Sequence, residues 1–81
     1  MGVLGVQIAM SRRWLYTIVG SKTAYYQQGK YLYSAETTQC EYYQSGEYIY
    51  SLLDSSGSRP VFYIRDNNVY SMDGKALYYY D

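Results

Sequence analysis

A short aromatic unit is repeated head to tail along most of this chain, and this repetition restricts the possible folds more than any other feature. The clearest copy is GKYLYSAETTQCEYYQS, residues 29–45. Tyr16, Tyr33 and Tyr50 follow one another at intervals of 17 residues, and Tyr70 comes 20 residues later. Such self-similarity indicates that each copy is one supersecondary unit that must stack on its neighbours to bury an apolar face. We therefore interpret the 81 residues as a single domain with repeats at 14–28, 29–45, 46–65 and 66–81.

Each repeat is predicted to be a β-hairpin. Aromatic and β-branched residues are enriched, and no segment has a convincing helical period. Gly follows a polar residue at Gln28-Gly29 and Ser45-Gly46, which predicts two-residue type I′ turns between repeats. At the third junction Asp66 and Asn67 are expected to tolerate the same left-handed backbone. Pro60 is expected at the start of a strand, where its missing N–H does least harm.

The predicted turns define a register between neighbouring repeats. Tyr26 should lie opposite Tyr31, and Tyr43 opposite Tyr48. At the N-terminus, residues 3–10 are interpreted as a half-copy strand that turns at Ser11-Arg12 into the first repeat.

The pleat of these strands sorts the side chains onto two faces. The first combines aliphatic, aromatic and small hydroxyl residues: Leu15, Leu32, Ile49, Val69, Tyr25, Tyr42, Phe62, Tyr78, Thr17, Ser34, Ser51 and Ser71. The second is almost entirely aromatic: Trp14, Tyr16, Ile18, Tyr26, Tyr31, Tyr33, Tyr43, Tyr48, Tyr50, Tyr63, Tyr70 and Tyr79. The first face has the character of a tight inner surface, and the second that of an outer or partner-facing surface.

The predicted fold class is all-β, an antiparallel meander of four tandem hairpins that forms a curved sheet or a small up-and-down barrel. The alternative is a set of propeller-like blades completed by a second chain. An open meander would leave two unpaired strand edges, which favour pairing with another copy. Self-association into a homo-oligomer is therefore expected.

Charge and residue types exclude several classes of function. Seven Lys and Arg balance seven Asp and Glu, so the chain lacks the basic patch that nucleic-acid binding requires. His is absent, which removes the commonest general base. The apolar residues 1–10 lack a basic flank and are too short to span a membrane. With no signal peptide recognised and a single cysteine, a cytoplasmic location is favoured.

The remaining reactive side chains are interpreted as structural. Cys40 precedes Glu41, whose carboxylate would raise the pKa of the thiol. The carboxylates lie mainly in or beside turns and are expected to be solvated. No cofactor, no metal site and no enzymatic activity are predicted.

The 14 tyrosines are the distinctive feature of the composition. Cross-strand aromatic pairs stabilise sheets, and that role alone would explain many of them. An exposed aromatic patch can instead mark a binding surface for a protein, a carbohydrate or another small ligand. The predicted binding residues, which we call the outer tyrosine surface, are Tyr26, Tyr31, Tyr33, Tyr43, Tyr48 and Tyr50.

The segments GKYLYS and EYYQSGEYIYS resemble the aromatic hairpin repeats of bacterial choline-binding and related cell-wall-binding modules. The resemblance covers all four copies and consists of Gly, paired aromatic residues and the period. It implies a hairpin repeat. The chain contains Trp only at Trp14 and lacks the Gly-Trp pair that opens each unit of that family, so the aromatic cage for choline is not carried over.

Overall fold

The computed structural model describes residues 12–53 and 59–81, which form eight antiparallel strands closed into a barrel. Strand order follows the chain, and β8 pairs with β1. The strands are β1 Arg12–Thr17, β2 Thr23–Gln28, β3 Tyr31–Ser34, β4 Cys40–Ser45, β5 Tyr48–Ser51, β6 Pro60–Arg65, β7 Asn68–Ser71 and β8 Ala76–Tyr80. The predicted all-β meander is confirmed, in its barrel form, and Pro60 begins a strand as expected.

The proposed half-copy strand at 3–10 and Ser11 lie outside the described residues. Arg12, which we expected in a turn, is instead a strand residue of β1 opposite Gln28.

Each repeat contributes two strands whose pairing is interrupted at an equivalent position. The register shifts after Leu15, Leu32, Ile49 and Val69. A bulge bends its strand and increases the local twist. Because all four hairpins bend at the equivalent position, the sheet curves evenly enough for β1 to reach β8.

The predicted register between repeats is wrong by two residues. Gln28 lies opposite Tyr31, and Tyr26 lies opposite Tyr33 rather than Tyr31. Gly29 is thus the first loop residue, with φ +62°. A positive φ at the first loop position is the requirement of a type II′ turn, whereas the prediction had placed Gly second in a type I′ turn.

The same displacement occurs at the next junction, where Tyr43 lies opposite Tyr50 rather than Tyr48. A shift of two residues preserves the side of the sheet on which each side chain lies, so the assignment of faces survives. At the third junction Asp66 takes the first loop position with φ 59°, as expected for a residue that tolerates this conformation.

Substitution of Gly29 by alanine is expected to lower the free energy of unfolding by about 1–2 kcal/mol, because the left-handed conformation strains a residue with a Cβ. The effect should be purely conformational, since among residues 12–53 and 59–81 no atom beyond the two chain neighbours of Gly29 lies within 4 Å of the added Cβ. Urea denaturation of the two proteins measures it. Asp66→Gly at the equivalent position is the matched control and should be neutral or stabilising. Equal losses in both variants would contradict this account of the turns.

The barrel interior contains the predicted aliphatic residues. Leu15, Ile49 and Val69 are fully buried, and Leu32 is 2% exposed. One such residue comes from each odd-numbered strand, so each repeat supplies one member of this central layer. The even-numbered strands supply the layers above and below.

The layer at the end of the barrel that carries the inter-repeat turns contains a group of hydrogen-bonded polar side chains, which the sequence did not predict. Gln27 is buried, and its Nε2 donates to Gln44 Oε1 at 2.6 Å and to the Gly29 carbonyl at 3.0 Å. The Tyr80 hydroxyl donates to Gln27 Oε1 at 2.7 Å. Arg13 covers this end, with its guanidinium carbon 3.8 Å from the centre of the Tyr80 ring. These bonds satisfy the buried amide, so it can occupy an otherwise apolar interior.

Candidate functional site

The outer tyrosine surface is organised as stacked pairs between neighbouring repeats. The rings of Tyr26 and Tyr33 lie 5.1 Å apart with an interplanar angle of 12°. Those of Tyr43 and Tyr50 lie 5.2 Å apart at 15°. Each pair joins two residues directly opposite one another in adjacent strands, which explains the close stacking.

The stacking extends beyond the residues that we predicted. Tyr63 and Tyr70 form a third pair at 5.1 Å and 11°, at the junction of the last two repeats. At the closure of the barrel Tyr16 and Tyr79 are 5.6 Å apart in a tilted arrangement. The aromatic band therefore continues around the outside of the barrel.

Tyr31 and Tyr48 differ from the other four residues of the outer tyrosine surface. They are 40% and 44% exposed, whereas the members of the stacked pairs are half-buried. Both are the first residue of a short strand, at equivalent positions in consecutive repeats. The structure thus combines four of the predicted residues into two stacks and presents the other two to solvent.

Cationic side chains lie over several of these outer rings. The Arg12 guanidinium carbon is 4.2 Å from the centre of the Tyr26 ring, and Lys30 Nζ is 5.4 Å from that of Tyr31. Such contacts are favourable because the face of an aromatic ring is electronegative. The outer surface is therefore amphipathic, with ring faces and charged groups side by side.

Inside the barrel, four aromatic rings form a closed circle, one from each repeat. Successive centroid distances are 5.5 Å from Tyr25 to Tyr42, 5.4 Å to Phe62, 6.0 Å to Tyr78 and 5.6 Å back to Tyr25. Interplanar angles between 63° and 89° make every contact edge-to-face, a preferred geometry for aromatic pairs. The circle packs on the buried aliphatic residues and covers them on the side of the loops within repeats.

The phenols of Tyr25 and Tyr78 in this circle remain protonated at neutral pH. Burial raises the pKa of Tyr25 far above its ordinary value, and a hydrogen bond with Tyr42 raises it further. Burial is also the main cause of the raised pKa of Tyr78. The negative charge of Glu41 contributes in the same direction to both. These hydroxyl groups are therefore neutral and retain their protons as hydrogen-bond donors.

Beside the aromatic circle is an open cleft of about 700 Å³. Tyr25 and Tyr78 line it, together with the carboxylate residues Glu36 and Glu41 and with Trp14. The cleft lies where the loops of the first two repeats meet. Pockets at the mouths of β-barrels are common sites for small ligands.

The loops that border the cleft are tied down by small hydroxyl residues at the ends of the odd-numbered strands. Ser34 Oγ accepts hydrogen bonds from the N–H groups of Glu36 at 3.1 Å and Thr37 at 3.2 Å. Thr17 Oγ1 accepts the N–H of Lys22 at 3.0 Å and donates to the Val19 carbonyl at 2.7 Å. We had interpreted these residues only as small inner neighbours.

The cleft was not predicted as a site. Tyr25 and Tyr78 were placed on the inner face, as observed, but Glu36 and Glu41 were interpreted as solvated residues in or near turns. Glu36 is exposed in a turn, as expected, whereas Glu41, which lies on a strand as predicted, is half-buried in β4. Two features of the sequence could have indicated the cleft. Tyr25 and Tyr78 lie on the inner faces of β2 and β8, and the second repeat contains the carboxylates Glu36 and Glu41.

Cys40 provides a further correction. Its pKa is raised, as expected, but the principal cause is burial and not the adjacent Glu41. Among residues 12–53 and 59–81 no group of three or more potential metal ligands occurs. The same residues contain no helix long and apolar enough to cross a membrane.

Comparison with known proteins adds no relative to this description. No protein-family model matches the chain, and no similar sequence among curated proteins or similar fold among solved structures was found. The functional argument therefore depends on the geometry of the outer tyrosine surface and of the cleft.

Proposed function

We propose that this protein is a non-enzymatic interaction module that binds a protein partner through its outer tyrosine surface, and that a second copy of the chain is such a partner. The observation that carries the proposal is the exposure of Tyr31 and Tyr48 at equivalent positions of consecutive repeats. Tyrosine is enriched at protein interfaces because its ring contributes apolar area while its hydroxyl keeps hydrogen bonds at the rim.

Closure of the barrel changes the proposed mode of association. Each described strand is paired on both sides, so the unpaired edges that first suggested self-association are absent from residues 12–53 and 59–81. Association would instead proceed through side chains. The formal net charge of zero means that two copies experience little overall repulsion as they approach.

A carbohydrate is the second candidate ligand for the same surface. The faces of exposed tyrosine rings can pack on the apolar face of a sugar ring, while the hydroxyl groups form hydrogen bonds at its edge. The same exposure of Tyr31 and Tyr48 supports this alternative. If a carbohydrate is the ligand, a soluble oligosaccharide should compete with self-association, because both would use the same surface.

Replacing both Tyr31 and Tyr48 by serine is expected to weaken self-association at least tenfold, because each change removes an exposed aromatic contact worth about 1 kcal/mol or more. Sedimentation velocity over a range of micromolar concentrations measures the change. Thermal stability should remain nearly unchanged, since exposed substitutions usually alter the free energy of unfolding by less than about 0.5 kcal/mol.

The double substitution of Tyr33 and Tyr50 by serine tests the stacked pairs of the same surface. These rings belong to the stacked pairs, so we expect a loss of stability of about 1 kcal/mol or more for each, as for other aromatic pairs. If the wild-type chain sediments as a monomer throughout the range, self-association is excluded. Binding of an oligosaccharide that depends on Tyr31 and Tyr48 would then favour the second candidate.

A further inference from the structure

We propose that the cleft beside the aromatic circle binds a ligand that carries an ammonium or guanidinium group on an apolar body. This site is separate from the outer tyrosine surface, and the inference does not depend on the function proposed above. It is carried by the combination of a cleft of about 700 Å³, two carboxylates and three aromatic side chains in its lining.

The charge of the cleft determines the sign of the ligand. Glu36 and Glu41 line it, and no Lys or Arg does so among the described lining residues. Within residues 12–53 and 59–81 neither carboxylate has an ion-pair partner. A cation entering the cleft would thus meet two carboxylates that are available for charge-assisted hydrogen bonds.

The aromatic residues define the rest of the ligand. Tyr25 and Tyr78 provide apolar surface, and electron-rich rings also attract cations. Their protonated hydroxyl groups add no negative charge but can hydrogen-bond to a polar edge of the ligand. An alkyl chain or a small ring could therefore lie along these side chains while its nitrogen faces the carboxylates.

The available hydrogen-bonding groups favour a cation with N–H donors over a quaternary one. Carboxylate oxygens are acceptors only, and a quaternary ammonium has no proton to donate to them. A neutral sugar would leave two negative charges without compensation. Free amines and the Lys or Arg side chains of a peptide share the required chemistry.

The single tryptophan supplies a direct readout, because Trp14 belongs to the lining of the cleft. Titration of the full chain with 1,5-diaminopentane should produce a saturable change in Trp14 fluorescence. Tetramethylammonium and glucose should bind at least about tenfold more weakly, the factor that corresponds to one lost hydrogen bond to a charged group. The peptide Gly-Lys-Gly distinguishes a protein segment from a free amine as the natural ligand. Tighter binding of the peptide than of the diamine indicates a protein segment, and weaker binding of the peptide indicates a free amine.

Glu41→Gln and Glu36→Gln preserve side-chain size and remove one charge each. Each should weaken diamine binding about tenfold, as expected for a charge-assisted hydrogen bond. Glu47→Gln is the matched control, since Glu47 lies in a turn at the other end of the barrel and should leave binding unchanged. Circular dichroism verifies that each variant is folded. The proposal is overturned if the diamine fails to bind, if glucose or tetramethylammonium binds equally well, or if all three variants bind like the wild type.

Discussion

Replacing Ile49 by alanine is expected to lower the free energy of unfolding by about 2–5 kcal/mol, the range for large-to-small changes in a packed core. Ile49 is fully buried and is one of four aliphatic residues that residues 12–53 and 59–81 contribute to the central layer. The whole stability of a domain is typically about 5–15 kcal/mol, so this single change should remove a large fraction of it. Chemical denaturation followed by circular dichroism measures the loss.

Two milder substitutions test whether the burial of Ile49 is the cause of the expected loss of stability. Ile49→Val removes one methyl group and should cost about 0.5–1.5 kcal/mol. Val19→Ala alters a side chain that is 87% exposed, and its effect should stay within about 0.5 kcal/mol. If Ile49→Ala proved as mild as Val19→Ala, the central layer would not be the stabilising core described above.

Alkaline pH is expected to unfold the protein, because three phenols have raised pKa values in the folded state. These are Tyr25, Tyr78 and Tyr80, with burial as the first cause in each case. In the unfolded chain they ionise near the ordinary value of 10.0. Below that pH their contribution to stability is complete. As the pH rises above it toward the folded pKa values, the unfolded state releases protons first and stability is lost.

The loss can reach at most about 1.4 kcal/mol per pH unit for each phenol. It should be smaller for Tyr25 and Tyr78, which are only half-buried and partly screened by solvent. Thermal melting between about pH 8 and pH 11 measures the trend, provided that the change is reversible on return to neutral pH.

Phenylalanine substitutions in the aromatic circle test the assignment of this effect. Phe62 already occupies the equivalent position in the third repeat, so the circle accommodates a ring without a hydroxyl. Tyr25→Phe and Tyr78→Phe should reduce the loss of stability above pH 10, even if they lower stability slightly at neutral pH. An unchanged alkaline profile in the double variant would assign the transition to other groups.

Much of the local structure follows from the sequence by itself. The spacing of Tyr16, Tyr33 and Tyr50 indicated equivalent hairpins, and the alternation within YLYS and YIYS separated Leu32 and Ile49 from the tyrosines on the other face. These properties are local, because a strand directs successive side chains to opposite sides regardless of its neighbours. The same reasoning placed Pro60 at the start of a strand and Asp66 in a left-handed turn.

The exact register between repeats does not follow from the sequence alone. Both Gln28-Gly29 and Gly29-Lys30 are compatible with a two-residue turn that contains glycine, the first as a type I′ turn with positive φ at both loop positions and the second as a type II′ turn with positive φ at the first. The sequence therefore determined the faces of the strands, whereas the structure decided that Tyr26 stacks on Tyr33.

Only the tertiary structure decided that the sheet closes and which distant side chains then meet. Closure depends on the summed curvature of four bulged hairpins, which no single repeat reveals. It brings Tyr25 within 5.6 Å of Tyr78 and lets Tyr80 hydrogen-bond to Gln27. The cleft likewise combines side chains from the first, second and fourth repeats. The sequence determined the repeating hairpin and its two faces, and closure of the barrel assembled the aromatic circle and the cleft, because these sites exist only where separate repeats come together.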